Sequence, residues 1–207
     1  MIKNLIKKNR LLYLFLKKPI DIFRYFRRDF SPPVPTYIKD QIIKKYSIKD
    51  SVFIETGTLY GDTILKLHKI FFKCYTIEAS DIYFDIAKKN FRNLKNVTIL
   101  KGKSIDILPK LIKSLYNHTD KITFYLDAHY SSFDTFKDLK LSAVEEELNY
   151  IQTILKDFKY VTIIIDDLRC FGNDENYPSH SFLLDWCKKN NVSIKIDNDT
   201  FIATKIF

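Results

Sequence analysis

The sequence predicts an α/β fold: a mostly parallel sheet covered by helices on both faces and closed at its C-terminal end by an antiparallel hairpin. Three observations predict it. From residue 36 onward, β-rich apolar runs alternate with amphipathic stretches, the pattern of βαβ units. Four of those runs stop abruptly at an acid, in VFIETGTLYGDT (52–63), YTIEAS (75–80), FYLDAHYSS (124–132) and TIIIDDLRCFG (162–172). The chain then finishes on VSIKI (192–196) and TFIATKI (200–206), which flank the turn-forming Asp197-Asn198-Asp199.

In chain order, residues 2–18 place Ile2, Leu5, Ile6, Leu12, Tyr13 and Leu16 near helical spacing with Lys and Arg between them. Pro19 is expected to end or bend that helix, because it lacks an N–H and clashes with the preceding turn. A basic-aromatic stretch, IDIFRYFRR (20–28), follows. SPPVP (31–35) predicts a stiff extended linker, since consecutive prolines block helix. The domain boundary is placed there, with a basic amphipathic segment over 1–35 and a domain over 36–207. Within the domain, helices are expected at 36–46, 61–70, 81–93, 104–116, within 141–157 and at 179–190. Strands are expected at 52–55, 73–78, 97–101, 121–127 and 160–165, ahead of the closing pair.

Composition excludes several classes. Hydrophobic content of 46% with 29% charged residues describes a globular chain, not a disordered one. Residues 1–30 hold nine Lys/Arg against Asp21 and Asp29, whereas the remainder is near neutrality with 25 basic and 23 acidic residues. The domain itself therefore carries no electrostatic footprint for nucleic acid, and no nucleic-acid partner is expected. Cys74, Cys170 and Cys187 are odd in number and widely spaced, which fits a reduced, cytoplasmic protein rather than a disulfide scaffold or zinc site. LLYLFL (11–16) is too short for a signal core or a membrane span.

The acids at the strand ends carry the chemistry. In an open parallel sheet the C-terminal ends of the strands line one crevice, where such folds bind ligands. In Glu55-Thr-Gly57-Thr-Leu-Tyr-Gly61, Gly57 lets the backbone approach a ligand and Gly61 lets a helix start pack tightly. The GxGxxG dinucleotide pattern is absent, and an acid before the first Gly suits an amino group better than a pyrophosphate. Glu78 falls about 20 residues after the first turn, where nucleoside-binding folds place the acid for ribose hydroxyls; the competing reading is a helix cap at Glu78 or Asp81. The loop Lys101-Gly-Lys-Ser104-Ile-Asp106 would lie over the base, with Ser104 also suited to cap the next helix. Asp127 and the pair Asp166-Asp167 end strands expected to be neighbours, and converging hard oxygens suit Mg²⁺. Successive strand residues face opposite ways, so Asp166 and Asp167 share an ion only if the chain leaves the strand there. His129 is a candidate base.

Together the ETGTxxGDT turn, IEAS, LDAHYS and IIIDD-xx-xFG-xxx-YPS resemble class I S-adenosylmethionine (SAM)-dependent methyltransferases over about 50–206. The nearest likeness is to a small bacterial subgroup found with glycan-biosynthesis genes and to macrolide-sugar O-methyltransferases. The resemblance implies a Rossmann-like, doubly wound, seven-stranded sheet. It implies SAM contacts from Glu55, Thr56, Gly57, Thr58, Tyr60, Gly61, Asp62, Thr63, Glu78, Ala79, Ser104, Ile105 and Asp127. It further implies Mg²⁺ on Asp127, Asp166 and Asp167, with Asp127 or His129 as catalytic base. Leu59 departs from the family's middle Gly, and the stretch between Ser132 and Leu141 offers few anchors for a substrate lid.

The function expected from this is O-methylation of a hydroxyl on a sugar or glycan precursor in the cytoplasm. The alternative is a non-catalytic binding or scaffold protein of the same fold. In that case residues 1–30 would rest on the inner face of the membrane or on a partner such as a glycosyltransferase. A helix packed on its own domain is the plainer expectation for those residues.

Overall fold

The computed structural model describes residues 10–127, 143–174 and 177–206. A seven-stranded sheet runs in the order β3-β2-β1-β4-β5-β7-β6. Its strands are β1 (Val52–Thr56), β2 (Lys73–Glu78), β3 (Val97–Lys101), β4 (Lys121–Leu126), β5 (Tyr160–Ile165), β6 (Ser193–Asp197) and β7 (Thr200–Ile206). The first five are parallel, and β7 inserts antiparallel between β5 and β6. This is the mostly parallel sheet with a terminal hairpin that the alternating runs predicted.

The helices are α1 (Arg10–Phe26), α2 (Thr36–Tyr46), α3 (Asp62–Leu67), α4 (Asp81–Phe91), α5 (Ser104–Leu115), α6 (Val144–Ile154) and α7 (His180–Asn190). Three of them cover each face. Ile43, Ile64, Ala87 and Phe91 from α2, α3 and α4 pack on Phe53, Cys74, Tyr125 and Ile164. On the other face, Leu108 and Ile112 of α5, Leu148 and Ile151 of α6 and Trp186 of α7 pack on Ile54, Ile122, Phe124 and Ile163. Strands buried on both sides are the reason their sequences read as continuous apolar runs rather than alternating ones.

Of the two outcomes expected at Pro19, an end to the helix is not the one found, because α1 runs through it to Phe26. A proline inside a helix forfeits one backbone bond and costs about 3 kcal/mol. Fastenings at both ends of α1 offset that cost. Arg10 binds Asp62 through Nε–Oδ1 and Nη2–Oδ2 contacts of 2.6 Å each. Tyr25 is buried, and its hydroxyl lies 3.4 Å from Asn198 Oδ1. Between them the Lys18 ammonium stands 3.3 Å from the centroid of Tyr37. Past the helix, Val34 in the proline-rich stretch is buried, and Arg28 donates to the Pro33 carbonyl at 2.8 Å. No helix among the described residues is long and apolar enough to cross a membrane.

Candidate active site

The acid-bearing strand ends lie level along one edge of the sheet. The ladder continues one residue past the strands: Gly57 N–H donates to Ile77 O, Asp127 N–H to Thr56 O, Asp166 N–H to Leu126 O and Gly102 N–H to Glu78 O, at 2.9–3.2 Å. Parallel pairing in register also sets the faces. Glu55 pairs with Thr76 and Tyr125, so these three side chains share the face covered by α2–α4. Asp127 and Asp166, two residues beyond Tyr125 and Ile164, follow them onto that face.

The turn after β1 is built from positive-φ positions, Gly57 at 84°, Leu59 at 50° and Gly61 at 77°. Gly61 opens α3 and touches α4, for a Cβ there would lie 2.2 Å from Phe91 Cζ. Gly61→Ala should therefore destabilise the protein by about 2–4 kcal/mol, combining left-handed strain with overpacking. Urea denaturation checks this, and an unchanged midpoint would refute it. Glu78 is buried and holds the turn, since its Oε2 accepts from Leu59 N–H and its Oε1 from Ser80 N–H, both at 2.8 Å. Each carboxylate oxygen keeps a second lone pair for a ligand. Glu55 lies beneath the turn, only 1% exposed, and accepts from Thr76 Oγ1 at 2.6 Å. Burial pushes its carboxyl up to about 8, against the opposing hydrogen bond from Thr76. Thr58 bonds Thr76 at 2.5 Å, and Thr63 also supports Glu55. Tyr60 and Asp62 lie under Arg10, whose guanidinium carbon stands 4.2 Å from the Tyr60 ring centroid.

Asp127, Asp166 and Asp167 present oxygens that all lie within 4.8 Å of one another. The condition for Asp166 and Asp167 to converge is met: β5 stops at Ile165, and Asp167 turns to a φ of 55°. Sequence reasoning did not see what else stands there. Lys39 of α2 places its ammonium 2.5 Å from Asp166 Oδ2 and 3.0 Å from Asp167 Oδ1. Arg169 Nη1 reaches Asp167 Oδ1 at 2.6 Å and also binds Asp199 from the β6–β7 turn. Tyr125 donates to Asp166 Oδ2 at 2.8 Å, with Asp127 Oδ2 at 3.4 Å. Burial and the neighbouring Asp127 raise the Asp166 carboxyl to about 6, with Lys39 pulling the other way. The donor atoms suit Mg²⁺ in type, but an ion between Asp166 and Asp167 would have to displace the Lys39 ammonium.

On the opposite face, Ser104 departs from its expected capping role. Lys103 holds the cap position of α5, and Ser104 is buried with its hydroxyl bonded to Glu147. Glu147 comes from α6, is 1% exposed, and has Thr56 Oγ1 at 3.4 Å from its Oε2. Burial raises its carboxyl to about 7. Ala79 accepts from Lys101, and Ile105 is exposed at the start of α5. His129 and the stretch 132–141 lie outside the described residues.

The helical spacing of Lys39 and Glu147 is a sequence signal for inward-facing charges. Lys39 lies three and four residues before the buried Ile42 and Ile43, and Glu147 lies three after Val144 and four before Ile151. A charge on the apolar stripe of a helix faces inward. Arg169, Tyr125 and Asp199 offered no such signal.

No family model and no curated protein matches the sequence. Solved structures do resemble it. An O-methyltransferase from Bacillus cereus in complex with SAH is 17% identical, with a TM-score of 0.56, covering 90% of this chain and 89% of that one. A protein from Staphylococcus aureus assigned as a caffeoyl-CoA O-methyltransferase is 16% identical, with a TM-score of 0.55 and coverage of 97% and 99%. One from Clostridium thermocellum assigned as an rRNA methylase is 10% identical, with a TM-score of 0.54 and coverage of 84% and 97%. These likenesses concern architecture and extend over different acceptors. The chain has the Rossmann-like fold of class I SAM-dependent methyltransferases.

Proposed function

We propose that the protein is a SAM-dependent O-methyltransferase whose acceptor is a hydroxyl of a sugar or glycan precursor. The observation that carries the proposal is the set of acids at one sheet edge, Glu78 beside the β1 turn and Asp127 two strands away. Bound SAM would supply an electrophilic methyl group on a sulfonium. Glu78, held by two backbone N–H groups, is oriented to accept from ribose hydroxyls. Ser104 and Ile105 border the adenine side, and Gly57 leaves the backbone open to the amino-acid end. Asp127 stands on the acceptor side as general base. The Asp127 carboxylate would take the acceptor O–H proton as the methyl group passes from sulfur to that oxygen. Proton removal matters because a sugar hydroxyl is a weak nucleophile at neutral pH.

The Lys39 ammonium, in contact with Asp166 and Asp167, offsets part of the negative charge of the acid cluster. Mg²⁺ assistance is the second reading, favoured by the convergence of Asp127, Asp166 and Asp167.

Calorimetry with SAM and SAH tests the donor. Binding should weaken at least about tenfold in Glu78→Gln, the size of one lost charge-assisted hydrogen bond. Asp127→Asn should still bind SAH, while transfer of labelled methyl to sugar-nucleotide acceptors falls by about 10²–10⁴. Failure of the wild-type protein to bind either ligand would reject the enzyme and leave a scaffold of the same fold.

A further inference from the structure

The apolar side of α1 faces away from the domain. At about 100° per residue, Phe15, Leu16, Ile20, Phe23 and Phe26 fall within an arc of about 140°. Phe15 is 71% exposed, Ile20 52%, Phe23 60% and Phe26 61%. Arg10 and Tyr25, which fasten the helix to the domain, lie on the other side. Phe30 continues the patch, meeting Phe26 edge-on at 5.7 Å and itself exposed. Surface apolar residues are ordinarily scattered singly, whereas a contiguous aromatic face on one helix marks an interaction surface. An amphipathic helix normally turns such a face to its own core.

The charges around the patch indicate what covers it. Arg24, Arg27 and Arg28 are exposed along its C-terminal half, and Lys17 is half-exposed on its flank. Asp21 is already paired with Lys17 at 3.3 Å and lies 3.9 Å from Arg24. A second copy docking face to face would bring these cations together. An anionic bilayer neutralises them while its acyl boundary takes the phenylalanines. We propose that α1 is an interfacial helix that seats the protein on an anionic lipid surface, lying in the interface plane.

Co-sedimentation of the full chain with vesicles of phosphatidylglycerol and phosphatidylcholine, against phosphatidylcholine alone, tests this. The protein should pellet with the anionic vesicles and be released as salt rises. Phe15→Ser with Phe23→Ser should weaken partitioning by about 100-fold or more, since each exposed ring would otherwise enter the bilayer. Arg24→Glu with Arg27→Glu should abolish the preference for anionic lipid. Circular dichroism and sedimentation velocity on the same variants complete the test. The proposal is overturned if the folded wild type ignores anionic vesicles or if the phenylalanine pair leaves binding unchanged. It is equally overturned if the wild type is a dimer that Phe15→Ser with Phe23→Ser merely dissociates.

Discussion

Lys39→Met should destabilise the protein by about 3–5 kcal/mol, the usual cost of removing one partner from a buried ion pair. The size follows from what stays behind. Asp166 and Asp167 are both buried, and among the described residues Lys39 is a cation that touches both. Arg169 continues to serve Asp167, and Tyr125 continues to donate to Asp166, so the loss falls mainly on Asp166. Methionine matches the length of the lysine stem, which confines the effect to charge. Urea denaturation of the single variants and of Lys39→Met with Asp166→Asn should show coupling of about 1–3 kcal/mol, the double variant losing less than the two singles together. The same variant bears on the metal. With the ammonium gone, Asp127, Asp166 and Asp167 keep oxygens within 4.8 Å of one another. Millimolar Mg²⁺ or Mn²⁺ should then stabilise Lys39→Met and leave the wild type unmoved, since a ligand stabilises only a state that binds it. A wild type whose melting point itself rises with Mg²⁺ would favour the metal reading.

The same residues show how far a sequence can be read. The sheet was readable because its signal is local: an apolar run of β-branched and aromatic residues declares a buried strand without knowledge of its neighbours. The level of Glu55, Glu78 and Asp127 followed from topology, since parallel strands end on one side. The partners of those acids did not follow. Lys39 lies 127 residues from Asp166 along the chain, and Arg169 meets Asp199 only because β7 inserts beside β5. Such pairs depend on which helix crosses which strand end, and that is settled by packing. Pro19 failed as a stop signal for a related reason. A local rule for isolated helices was outweighed by contacts with Asp62 and Asn198, both remote in sequence.

Glu147→Gln should change how stability depends on pH, and by a large amount. A glutamate in the unfolded chain titrates near 4.3, whereas burial holds Glu147 at about 7 in the folded protein. Between those values the folded state keeps a proton that the unfolded state has released. Stability is then greatest below the unfolded value and falls as pH rises toward 7, by about 3 kcal/mol from this residue. Glu55, raised to about 8, pulls in the same direction and extends the decline to higher pH. The charged form of Glu147 is poorly served where it sits. Its Oε1 has no hydrogen-bond partner among the described residues, and the Ser104 hydroxyl and a Thr56 hydroxyl at 3.4 Å from Oε2 offset only part of the burial. Glutamine is neutral at every pH and keeps an oxygen for Thr56. The difference in unfolding free energy between variant and wild type should therefore move about 3 kcal/mol in the variant's favour between pH 4.5 and pH 8. Whatever the amide itself costs is present at both pH values and cancels from that comparison. Parallel stability curves for the two proteins would mean that Glu147 ionises as freely inside the fold as outside it.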